Sequence, residues 1–140
     1  MSTTSTVTAR LGDTPWEVTF TDDLGHTWRA DEPESIGGAN TATTPDRLVL
    51  SGLGSCTAIT VKMVAVRKQI PLEGIEVDVQ LNPDGKPESG NDLVRTIRLQ
   101  GNLDDDQRAQ LLKAANACPV HKLLTGEIRI HTSMQQAAPN

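Results

Sequence analysis

Fourteen consecutive residues without a charge, Leu48 to Val61, constrain this chain more than any other segment. They read LVLSGLGSCTAITV and follow Thr44-Pro45, the pairing of an N-cap hydroxyl with a proline at the first helical position. The pattern predicts one long helix running to about Lys68. Leu48, Val49, Leu50, Leu53, Cys56, Ile59 and Val61 leave that helix no polar stripe in its first half, which predicts burial on every side. In a domain of 140 residues one sheet covers one face only. The other face needs a second helix or a second subunit, and we favour a subunit as part of the answer. Ser51, Gly52, Gly54 and Ser55 are small, predicting either a bend or the close approach of another backbone. The run is too short for a bilayer, which needs about 20 apolar residues.

The flanking segments predict strands. Val7, Ala9 and Leu11 alternate, as do Trp16, Val18 and Phe20, and HTWRA returns after a turn at Asp22, Asp23 and Gly25. Gly74 to Leu81 and Leu93 to Leu99 form a second pair around the polar loop NPDGKPESGND. Asp104 and Gln107 have the spacing of a capping box, with Leu103 as a staple, and open a helix ending near Cys118. Pro119 disfavours helix at Cys118 and starts PVHKLLT, which Gly126 ends. Glu127 to Ser133 reads as a last strand. Tight polar turns make the pairs antiparallel, so the class is α+β, with one domain over residues 1–140 and a core over about 7–133.

Composition narrows the function. A net charge of −5 lacks the basic stripe that nucleic acid requires. The N-terminus has no apolar signal core, and the reading is a cytoplasmic protein whose thiols rest reduced. There is no CxxC pair, so neither cysteine reads as half of a zinc ribbon or of a thioredoxin-like motif. Cys118 and His121 have the spacing of two zinc ligands, but His26, His131 and scattered carboxylates give no second cluster, so no metal and no cofactor are expected. The glycines of SGLGS match no phosphate-loop pattern. A Cys–His hydrolase would need a histidine poised on the thiol, and His121 is expected to point along its helix instead.

Two thiols from remote helical segments, Cys56 and Cys118, suggest a redox pair assembled by the fold. Cys118 stands at the N-cap of PVHKLLT, where oriented N–H groups favour thiolate. Cys56 would stand at a fresh helix start if the two glycines before it broke the helix. The residues alone do not rank the two, and a pair of inert buried thiols is the plain alternative.

TPDRLVLSGLGSCTAITVKMVAVRK with PLEGIEVDV after it, and then LLKAANACPVHKLLTGEIRI, resembles the OsmC/Ohr family of thiol-dependent peroxidases over roughly residues 7–133. The ADEP…GG segment before the long helix is similar to the OsmC-like branch. The resemblance implies an α+β fold with antiparallel sheets on a buried central helix, in an intertwined homodimer. It implies that Cys56 attacks the hydroperoxide and that Cys118 resolves the resulting sulfenic acid as a disulfide. A dithiol reductant of lipoyl or thioredoxin type would then reset the pair. Asp46 stands where the family has a supporting glutamate, one methylene shorter. The hairpin reads GDTPWE where the family has an arginine, leaving Arg10 and Arg29 as the nearest candidates. Thr57 follows the first cysteine where phenylalanine is common. The rival reading is a non-catalytic dimer of the same fold that binds a small ligand or partner in its cleft.

Overall fold

The protein was analysed as a computed structural model, which describes residues 4–136. Three strands, β1 (Val7–Leu11), β2 (Val18–Asp22) and β3 (Thr27–Ala30), form an antiparallel meander in the order β1-β2-β3. Helix α1 spans Pro45–Arg67, β4 (Gly74–Leu81) pairs with β5 (Leu93–Gln100), and α2 (Asp105–Asn116) and α3 (Pro119–Thr125) follow. The chain divides into two compact units, residues 1–52 with 79–94, and residues 53–78 with 95–140.

The first unit holds the meander and the approach to α1. Phe20 and Trp28 face each other across β2 and β3 with ring centroids 5.4 Å apart. Such a cross-strand pair contributes about 0.2–1 kcal/mol. Asp22 makes the turn, its Oδ1 accepting the N–H of Leu24 at 2.9 Å and of His26 at 2.8 Å, and Gly25 adopts the positive φ of 89° that the turn needs. Beyond β3, buried Asp31 pins the loop that leads to α1. Its Oδ1 accepts the Glu32 N–H at 2.7 Å, and its Oδ2 accepts the Thr41 N–H at 3.1 Å and the Thr41 hydroxyl at 2.7 Å. These bonds, the Thr41 N–H foremost, hold the Asp31 carboxyl below its ordinary value. Thr44 then accepts the Leu48 N–H on its carbonyl, and Pro45 is the first helical residue.

The second unit contains the main core. Val61, Ala65, Ile70, Leu72, Leu111, Ala114 and Ala115 are buried together, with Ile75, Ile97, Leu99 and Leu103 packed against them. The α2 capping box is formed as its sequence predicts: Asp104 Oδ1 accepts the Gln107 N–H at 2.8 Å, and Gln107 Oε1 accepts the Asp104 N–H at 3.0 Å. Gly101, at φ 139°, carries the chain from β5 toward α2 where any Cβ would collide with the Pro71 carbonyl oxygen.

Two expectations are corrected. Helix α1 is continuous through Gly52 and Gly54, so Cys56 lies mid-helix and not at a fresh helix start. A Cβ built on Gly52 meets nothing within 4 Å inside the single chain. Within the single chain, Leu53, Thr57, Val61 and Ala65 form one buried stripe at four-residue spacing, while Val49, Ile59, Met63 and Val66 are exposed, the face for which a second subunit was expected. By length and hydropathy α1 would suit a membrane span, but its packed stripe belongs to a globular core. Second, within this chain Glu127 to Ser133 forms no strand, because a strand exists only by pairing and none of the described strands pairs with it. Ile128 and Ile130 are correspondingly exposed.

Candidate active site: a thiol pair at the first turn of α3

Cys56 projects from the middle of α1, and Cys118 is the N-cap of α3. Pro119 at the first helical position forces Cys118 into the extended conformation, φ −68° and ψ 148°, and turns its side chain over the helix start. Cys118 Sγ accepts the His121 N–H at 3.3 Å. The adjacent N–H, from Val120, points to Cys56 Sγ at 3.5 Å. Two neighbouring orphan donors of one helix turn therefore address two sulfurs from segments far apart in the chain. Both are free, Cys118 fully buried and Cys56 half-buried.

Burial pushes the Cys118 thiol up. The His121 N–H, the Cys56 thiol, Thr57 and the Arg95 charge pull it down further, leaving it below the ordinary thiol value. The arrangement thus favours negative charge on Cys118, while the more accessible sulfur is that of Cys56.

Around the pair lies a polar cluster. Buried Thr57 donates its hydroxyl to the Leu53 carbonyl at 2.7 Å, and its oxygen lies 3.9 Å from Cys118 Sγ. The same oxygen accepts from Arg95 Nη1 at 2.9 Å. Arg95 Nη2 reaches Asn116 Oδ1 at 2.8 Å and His121 Nδ1 at 3.0 Å. A guanidinium only donates, so His121 Nδ1 is the acceptor, and the imidazole proton resides on Nε2. His121 therefore serves Cys118 with its backbone and Arg95 with its ring.

The structure brings Cys56 and Cys118 together. Asp46 belongs to the first unit, in the first turn of α1, exposed, accepting the Thr44 hydroxyl at 2.6 Å. That bond, more than any other influence, lowers its pKa. Arg10 and Arg29 also belong to the first unit. Arg10 lies opposite Thr19 in the β1–β2 ladder, and Arg29 pairs with Glu17 at 3.6 Å.

Sequence reasoning missed Thr57 as a neighbour of Cys118, and Arg95 as the partner that Thr57, Asn116 and His121 share. A signal for Arg95 was present: along β5 it falls in phase with Leu93, Ile97 and Leu99, the half-buried positions, so a charge sits on the inward face. The His121 ring bonds Arg95, and its N–H contacts Cys118. Among the described residues no group of three or more His, Cys, Asp or Glu side chains is arranged to hold a metal ion.

A three-stranded meander, a paired-strand unit with a long helix, and two thiols meeting at a short helix start define a class of α+β proteins built around a cysteine pair. A family model described as OsmC-like protein matches residues 37–133, and the chain belongs to that family. No curated protein matches the sequence. Among solved structures, the organic hydroperoxide resistance protein OhrB of Bacillus subtilis is 29% identical, with 89% of this chain and 92% of that one covered and a TM-score of 0.59. An organic hydroperoxide resistance protein from Legionella pneumophila is 24% identical, with 89% and 90% covered and a TM-score of 0.63. An OsmC-like protein from Mycoplasma pneumoniae is 20% identical, with 90% of each chain covered and a TM-score of 0.73. The last two likenesses concern the fold.

Proposed function

We propose that this protein reduces organic hydroperoxides with its cysteine pair, Cys56 attacking and Cys118 resolving. The observation that carries the reading is the meeting of both sulfurs at adjacent N–H groups of one helix turn, Cys56 the more exposed. The family and the likeness to OhrB support the substrate class.

The Cys56 thiolate attacks one oxygen of the O–O bond. An S–O bond forms, the O–O bond breaks, and the alkoxide leaves and takes a proton to become the alcohol. Cys56 is then a sulfenic acid. The Cys118 thiolate attacks that sulfur, forming the S–S bond and expelling hydroxide, which leaves as water after protonation. Two electrons have passed from the thiols to the peroxide. A dithiol reductant of lipoyl or thioredoxin type restores both thiols by exchange and departs as its own disulfide. Asp46 is the supporting acid of this reading.

The protein works as a homodimer. Val49, Ile59, Met63 and Val66 on α1, with Ile128 and Ile130 on the unpaired segment after α3, present apolar surface that a second copy would cover. Its compartment is the cytoplasm, where thiols are kept reduced.

The test is consumption of an organic hydroperoxide with a dithiol reductant. Cys56→Ser is expected to abolish turnover, and Cys118→Ser to allow one turnover and then over-oxidise. Turnover retained in Cys56→Ser would reverse the roles. No consumption by the parent protein would favour the ligand-binding alternative.

A further inference from the structure

Two arginines of β5, Arg95 and Arg98, lie three residues apart and so on opposite faces of the strand. Arg98 is neutralised from both sides, by Glu76 and by Asp78 at 2.9 Å. Arg95 has no carboxylate partner among the described residues. Its acceptors are an alcohol, an amide and an imidazole, from Thr57, Asn116 and His121. Three neutral acceptors fix the guanidinium without cancelling its charge.

Two of those three residues are also neighbours of Cys118. Thr57 Oγ1 lies between Arg95 Nη1 and Cys118 Sγ, and His121 binds the sulfur with its N–H and the guanidinium with its ring. The half-buried setting of Arg95 limits screening by solvent. We propose that Arg95 is the positioning cation of the Cys56–Cys118 pair, its unneutralised guanidinium stabilising negative charge on the sulfurs through the Thr57–His121 clamp. By resemblance, the candidates for a cation were Arg10 and Arg29. The proposal deepens the thiol-pair reading and rests on it.

The test is the ultraviolet titration of thiolate in the reduced protein, with no peroxide present, in the parent, Arg95→Gln and Arg95→Lys. Arg95→Gln keeps an amide donor and loses the charge; Arg95→Lys keeps the charge and loses the planar geometry. The lower midpoint of the pair is expected to rise by about one pH unit in Arg95→Gln and to stay near the parent's in Arg95→Lys. A parental midpoint in Arg95→Gln would overturn the proposal, as would equal shifts in both variants, which would mark a packing effect. A second measurement needs no variant. The Arg95 side-chain NMR resonances of the parent should move with the midpoint of the thiolate absorbance, and resonances that stay flat across it would overturn the proposal. Peroxide consumption, measured separately, fails or succeeds independently of these titrations.

Discussion

Val120 donates its backbone N–H to the sulfur of Cys56 at 3.5 Å, tying the middle of α1 to the first turn of α3 across 64 positions of sequence. The next N–H in that turn, from His121, serves Cys118. The placement depends on Pro119, which ends α2's path and opens α3 in two residues. Pro119→Ala should relax the extended conformation of Cys118 and slow disulfide formation after oxidation, with little change in the first oxidation step. Stopped-flow rates of the two steps check this.

The core of the second unit closes over Leu111, which is 1% exposed among Val61, Ala65 and Leu72. Leu111→Ala should cost roughly 2–5 kcal/mol, because transfer and cavity contributions add at a site so enclosed. Asp104→Ala removes the α2 cap and should cost about 1 kcal/mol. Urea unfolding with a shared slope would measure both.

Acid stability follows from Asp31. Its folded pKa lies below its unfolded value of about 3.9. The contribution is complete above that unfolded value and is lost as pH falls through the folded one. Cys118 behaves with the same sign in a higher window: complete above about 8.5, and lost as pH falls through its depressed folded value. Asp31→Asn should flatten the acid limb of stability, and Cys118→Ser the limb below about 8.5. Urea midpoints across pH separate the two.

Much of this organisation was legible in the sequence because it is local. Alternation places β1 to β5, Thr44-Pro45 starts α1, the Asp104–Gln107 box starts α2, and Cys118-Pro119 starts α3. Each signal operates within a few residues. What was not legible depends on tertiary partners. The glycines of SGLGS stayed helical because continuous i to i−4 bonding outweighs their propensity cost. Segment 127–133 has strand composition but pairs with none of the described strands of its own chain. Arg95 meets Thr57, Asn116 and His121 from three other segments, and only its phase on β5 hints at it. The resemblance points to Asp46 and the hairpin arginines; within the second unit, the groups near Cys118 are Thr57 of α1, Arg95 of β5 and His121 of α3.

The dimer reading predicts its own failure point. Met63 is 63% exposed on α1 and Ile59 is 54% exposed one turn before it. A charge placed in a dry interface is costly to desolvate. Met63→Glu should therefore weaken self-association by at least about tenfold, on the order of 1.4 kcal/mol. Sedimentation over a dilution series reads this, and a parent that stays monomeric at all concentrations would sink the dimer.

The central claim is that Cys56 and Cys118 act as one redox unit. It is tested most directly by adding one equivalent of an organic hydroperoxide to the reduced protein and mapping the product by mass spectrometry. The account predicts loss of both thiols and an intrachain Cys56–Cys118 disulfide, reversed by a dithiol. Two intact thiols after that addition, or a stable sulfenic acid on either cysteine with no disulfide, would contradict it.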